Sequence, residues 1–126
     1  MMIVEQMLKN AQTPLLHIAD VSGSALFQGD CLDIMPLIPD NSIDMVLCDL
    51  PYEVTQNKDD IMIDPEKLWK QYWRIAKQNA PVVLFGQDKF TAVMMLSDKN
   101  HKYNLIWDKV LTSGFLNANR MPLRSH

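Results

Sequence analysis

An aspartate, a proline two residues on and a tyrosine directly after it close the apolar run Ile43-Asp44-Met45-Val46-Leu47-Cys48: the tetrapeptide is Asp49-Leu50-Pro51-Tyr52. The chemistry these residues suit is capture of an exocyclic amine on a planar base. The lone pair of such an amine is delocalised into the ring, so its nitrogen is a poor nucleophile. Two acceptors set against its two N–H bonds draw it toward a tetrahedral, nucleophilic nitrogen. The Asp49 carboxylate is one acceptor and the Leu50 main-chain carbonyl the other. Pro51 removes a backbone donor and stiffens the direction of that carbonyl. Tyr52 offers a flat face for the base, with stacking worth about 1–3 kcal/mol. A base in a duplex must first be extruded, which costs roughly a few kcal/mol.

Alone, an Asp-x-Pro-Tyr tetrapeptide arises by chance in many loops, so the elements that position it decide its weight. Residues 43–48 form a continuous apolar strand ending at Asp49, the kind that suits a parallel sheet covered on both faces. Ala25 to Gln28 is a short strand stopped by Gly29-Asp30, and residues 81–85 are a further buried strand ended by Gly86. Tyr103 to Trp107 reads as another strand. Between them lie a short helical stretch Cys31 to Leu37 with Asp30 as N-cap, and a helix from Pro65 to about Gln78 with Asp64 as N-cap. Asp88 is placed to cap a third helix, Lys89 to Leu96. Residues 2–10 carry apolar side chains at 3, 4, 7 and 8 and form an amphipathic helix; residues 14–25 read as irregular, with a turn at Ser22-Gly23-Ser24. The alternation predicts an α/β fold with a mainly parallel sheet. Ligands of open α/β sheets bind at the carboxyl ends of strands, where Gly29-Asp30, Asp49-Leu50-Pro51-Tyr52 and Gly86-Gln87-Asp88 all fall.

The chain has 126 residues, 48% hydrophobic and 21% charged, which fits one globular domain and excludes wholesale disorder. Its net charge of −3 conceals an asymmetry. Residues 1–98 hold seven Lys/Arg against fourteen Asp/Glu; residues 99–126 hold five (Lys99, Lys102, Lys109, Arg120, Arg124) against Asp108 alone. A basic C-terminal end on an acidic body is compatible with a polyanion partner there, but on charge alone a solvated tail is the better reading. Cys31 and Cys48 form no CxxC pair and have no histidine at zinc-site spacing, so no metal is expected. They read as reduced, buried packing residues in a cytoplasmic protein with neither a signal peptide nor a membrane span. Trp69, Tyr72 and Trp73 read as core before stacking surface, and the nine methionines as core fillers.

In this setting the run Ile43 to Tyr52 resembles the amino-methylating DNA methyltransferases, whose catalytic motif is Asp/Asn/Ser-Pro-Pro-Tyr at a strand tip. Gln28-Gly29-Asp30-Cys31-Leu32-Asp33-Ile34-Met35, followed by Leu37 to Ser42, resembles the opening of the class in which the catalytic motif comes first. The chain is similar to bacteriophage and prophage DNA methylases in particular, with further echoes at Leu68-Trp69, Val83-Leu84-Phe85-Gly86, Ile106-Trp107-Asp108-Lys109 and Gly114-Phe115-Leu116-Asn117-Ala118. The likeness runs from residue 26 to the end.

The resemblance implies a partial Rossmann-like methyltransferase fold and transfer of a methyl group from S-adenosylmethionine to a base amine in double-stranded DNA, adenine N6 before cytosine N4. It places Asp49, Leu50, Pro51 and Tyr52 at the catalytic motif, and Asp30, Cys31 and Asp49 beside the cofactor. Lys109, Arg120 and Arg124 are the candidate DNA contacts. Three residues depart from the phage pattern: Glu53 stands where glycine is usual, and Asp59-Asp60 where an aromatic is usual, each adding negative charge where DNA would enter. The family's glycine-rich cofactor motif has no counterpart, because glycines 23, 29, 86 and 114 are each isolated. The expected organisation is an N-terminal extension over 1–25, the catalytic-motif half over 26–111, and the start of a target-recognition region over 112–126. A truncated enzyme inactive alone, one half of a split enzyme completed by a second chain, and a non-catalytic module associating through an exposed sheet edge all remain open.

Overall fold

The computed structural model describes residues 2–10, 16–21, 24–52, 61–111 and 119–120. The candidate DNA contact Arg124 and the departing residues Glu53, Asp59 and Asp60, together with most of 112–126, lie outside them. The elements run α1 (Met2–Asn10), β1 (Leu16–Val21), β2 (Ser24–Gln28), α2 (Cys31–Ile34), a single 3-10 turn (Met35–Leu37), β3 (Val46–Asp49), α3 (Pro65–Ile75), β4 (Val82–Phe85) and α4 (Asp88–Ser97).

The protein mixes helix and strand, but the described strands fall into two separate pairs. β3 and β4 are parallel, with Val46 opposite Val82 and Asp49 opposite Phe85. β1 and β2 form an antiparallel hairpin. Two corrections follow. The stretch before residue 25, expected to be irregular, contains β1. Its register shifts between His17 and Ala19, which breaks the period-two alternation that betrays a strand in sequence. The boundary drawn at residue 25 also falls inside β2. Second, Tyr103 to Trp107 is not a strand, and every residue from 101 to 111 is exposed. Strand-favouring residues order as a strand when a neighbour offers a pleated, half-buried surface, and among the described residues none does so here.

The helices follow their local signals. The Asp64 side chain accepts from Glu66 N at 3.0 Å and Pro65 opens α3, whose Leu68, Tyr72 and Ile75 are buried along one stripe. α3 stops at Ile75 rather than near Gln78, because the chain there is drawn into a bridge between Ala76 and Ile43. Asp88 does not cap α4. Gln87 holds that position without a side-chain cap bond, and Asp88 is the first helical residue, with φ of 50°. A carboxylate there still meets the positive end of the helix dipole.

The core gathers between α3, α4, β3 and the 3-10 turn: Met35, Val46, Leu50, Leu68, Tyr72, Ile75, Phe90 and Met94. Leu68 is fully enclosed, at 0% exposure. Met7 on α1 is also buried. The methionine expectation holds in part: Met7, Met35 and Met94 are interior, whereas Met45 and Met95 are exposed. The aromatic run divides likewise. Tyr72 is core, Trp69 is half-buried and donates from Nε1 to Ser97 Oγ at 2.8 Å, and Trp73 stacks on Trp69 with its own surface exposed.

Arg74 fastens the far end of this assembly. Its guanidinium donates to Met35 O at 2.7 Å and Ile38 O at 2.8 Å, and pairs with Asp40. Backbone bonds from Asn41, Ser42 and Ile43 to the last carbonyls of α3 complete the seam. This fixes where the chain enters β3, and so where β3 ends.

Candidate functional site at the parallel strand tips

Parallel pairing in register sets the ends of β3 and β4 side by side, so Asp49-Leu50-Pro51-Tyr52 and Gly86-Gln87-Asp88 leave the sheet together. Leu50 turns inward and is buried; Pro51 and Tyr52 are half-buried. The inward Leu50 anchors the turn, and Asp49 before it is thereby held at the surface.

Asp49 and Tyr52 meet. The phenol of Tyr52 donates to Asp49 Oδ1 at 2.5 Å. Burial, then the hydrogen bond to Asp49, then the charge of Asp49 push the Tyr52 phenol far above its ordinary range. Tyr52 therefore stays a proton donor throughout the physiological range. Its ring packs against Phe90, with centroids 4.7 Å apart and planes tilted by 36°.

Phe90 was not foreseen as part of this group. It is buried on the first turn of α4 and holds the tyrosine ring from beneath. Gly86 makes that approach possible: a Cβ there would lie 2.9 Å from Thr91 Oγ1 and 3.4 Å from Phe90 Cδ1. The signal available in sequence was the glycine directly after an apolar strand, followed by an aromatic four residues on.

The third strand tip belongs to the hairpin. Asp30 accepts from Leu32 N at 2.8 Å and is the N-cap of α2, as its position predicted. Gly29 before it has φ of 156°, and a Cβ there would meet Ile34 Cδ1 at 3.1 Å. Cys31 and Cys48 both pack on the core cluster, which brings the start of α2 beside β3. Both thiols are free and pack on the core, half-buried where burial was expected. Burial, the charge of Asp30 and the neighbouring Cys48 raise the Cys31 thiol above its ordinary value. Burial raises the Tyr72 phenol too, reinforced by its hydrogen bond with Cys48.

Asp30, Cys31, Asp49 and Tyr52 thus belong to neighbouring elements around β3, with Asp49 and Tyr52 in direct contact. The expected DNA contacts are more scattered. Lys109 and Arg120 are exposed, on the described stretch after α4 and in an isolated turn. Among the described residues no cluster of three metal-ligating side chains occurs, and no helix is long and apolar enough to cross a membrane. No family model, no curated protein and no solved structure matches this chain.

Proposed function

We propose that the chain carries the catalytic-motif part of an S-adenosylmethionine-dependent DNA amino-methyltransferase, with adenine N6 as the favoured acceptor. The observation that supports this most is the contact of Asp49 with Tyr52 at the tip of a parallel strand, beside the end of β4. In this reading Asp49 and the Leu50 carbonyl receive the two amine hydrogens of an extruded base, and Tyr52 stacks on its ring. Phe90 keeps Tyr52 from collapsing into the interior. When an amine engages Asp49, the Tyr52 hydroxyl shares or yields its place on the carboxylate.

S-adenosylmethionine would supply an electrophilic methyl group. The residues that would hold it are Asp30, Cys31 and Asp49, which fit in part: an exposed carboxylate opens α2, and the adjoining thiol lies against the same core as Cys48 on β3. No glycine pair stands ready to cradle the rest of the cofactor. Exposed Lys109 and Arg120 suit phosphate contacts, and Arg124 follows from the resemblance alone.

Tritiated-methyl transfer from S-adenosylmethionine to duplex DNA tests this. The chain alone is expected to give no incorporation. Mixed with the glycine-motif half of a phage amino-methyltransferase, it is expected to incorporate label. Turnover by the chain alone would overturn the incompleteness of its cofactor site, and an inert mixture at every ratio would overturn the methyltransferase reading.

A further inference from the structure

We propose that the Tyr52 hydroxyl is a positioning group for Asp49: it holds one carboxylate oxygen and leaves the other for an incoming amine, and Phe90 in turn positions Tyr52. This rests on the reading of Asp49 as the amine acceptor and says how that acceptor is set. Asp49 is the exposed last residue of β3. An exposed aspartate moves among the staggered χ1 wells unless a partner holds it. Here Tyr52 does, donating to Oδ1 at 2.5 Å. A hydrogen bond to a charged acceptor is about twice as strong as a neutral one, enough to favour one rotamer by about tenfold.

The donor is itself fixed from several directions. Leu50 is buried, and the ring of Pro51 sets its own φ, so the chain between Asp49 and Tyr52 has little freedom. Phe90 packs on the phenol ring, with centroids 4.7 Å apart and planes tilted by 36°. Phe90 is only 4% exposed, so it is a fixed support. With Phe90 on one face and the hydroxyl committed to Asp49, the ring offers a planar ligand its opposite face. It cannot swing away without breaking the bond to Oδ1. The phenol remains protonated through the physiological range, so the bond persists there. With Oδ1 engaged, an incoming amine meets Oδ2 with one N–H. Its second N–H needs another acceptor, for which the Leu50 carbonyl is next along the chain.

Three-bond couplings that report χ1 of Asp49, measured by NMR on the isotope-labelled chain without DNA or cofactor, test this. The wild-type chain is expected to show one dominant rotamer. Tyr52→Phe keeps the ring on Phe90 and removes only the hydroxyl; it is expected to lower that preference at least about fivefold. Phe90→Leu is expected to lower it too, with the backbone shifts of Val46 and Leu47 unchanged, which separates positioning from unfolding. Asp44, held by Lys77 at 2.7 Å, serves as the control and is expected to keep its couplings in both variants. Averaged couplings at Asp49 in the wild type, or wild-type couplings in Tyr52→Phe, would overturn the proposal. A folded Phe90→Leu chain with wild-type couplings would overturn the part given to Phe90. None of these failures bears on whether the chain supports methyl transfer, and an inert enzyme mixture leaves the link from Phe90 through Tyr52 to Asp49 standing.

Discussion

Replacing Arg74 with alanine tests how the strand tip is held from its opposite end. The guanidinium donates to the carbonyls of Met35 and Ile38 and to the side chains of Asp40 and Gln71. The first two bonds are charge-assisted and part-buried, a type worth about 1.5–3 kcal/mol each. The pair with Asp40 contributes less, because that carboxylate is 75% exposed and exposed pairs give roughly 0–1 kcal/mol. Water re-solvates part of what truncation frees, so the expected loss is about 2–4 kcal/mol. Asp40→Ala should cost no more than about 1 kcal/mol. At this chain length that separates the melting temperatures of the two variants by several degrees, and urea titration gives the free energies directly. If Arg74→Ala costs no more than Asp40→Ala, the carbonyl bonds contribute nothing and the description of the seam between α3 and β3 is wrong.

Other perturbations address the core and the titrating groups. Leu68→Ala should destabilise by about 3–5 kcal/mol, because the side chain is wholly enclosed; a loss under 1 kcal/mol in urea melts would mean the α3 stripe is not core. Tyr52 and Tyr72 have raised folded-state values, so each contributes stability that is complete below the ordinary phenol value of 10.0 and is lost as pH rises through the folded value. Absorbance at 295 nm should therefore show both ionising late and together with unfolding, and Tyr52→Phe should remove one late component; ionisation of Tyr52 near pH 10 in the folded protein would contradict its pairing with Asp49. Asp30→Asn should accelerate thiol modification of Cys31 a few-fold in a Cys48→Ser background, since it removes a charge that disfavours the thiolate while keeping a capping side chain. An unchanged rate would mean the carboxylate does not act on the thiol.

What was legible in the sequence was local. Asp30 and Asp64 announced their caps, Pro65 opened α3, and the apolar runs before Asp49 and Gly86 became the paired strands β3 and β4. What was not legible depended on partners distant in sequence. Residues 103–107 have strand composition but, among the described residues, no strand beside them, and β1 was masked by its own irregular register. Asp49 and Tyr52 could be named from their spacing, but their hydrogen bond and the Phe90 ring beneath Tyr52 required the fold. The resemblance to phage methylases supplied a chemistry for these residues, and the geometry at the strand tips is compatible with it.

The most direct measurement is mass spectrometry of nucleosides from DNA incubated with S-adenosylmethionine, this chain and a glycine-motif half, using wild-type Asp49 and Asp49→Ala in parallel. Methyl transfer through Asp49 would yield N6-methyladenine with the wild-type chain and none above background with Asp49→Ala. N6-methyladenine at equal yield from both, or no methylated base from either, would contradict it.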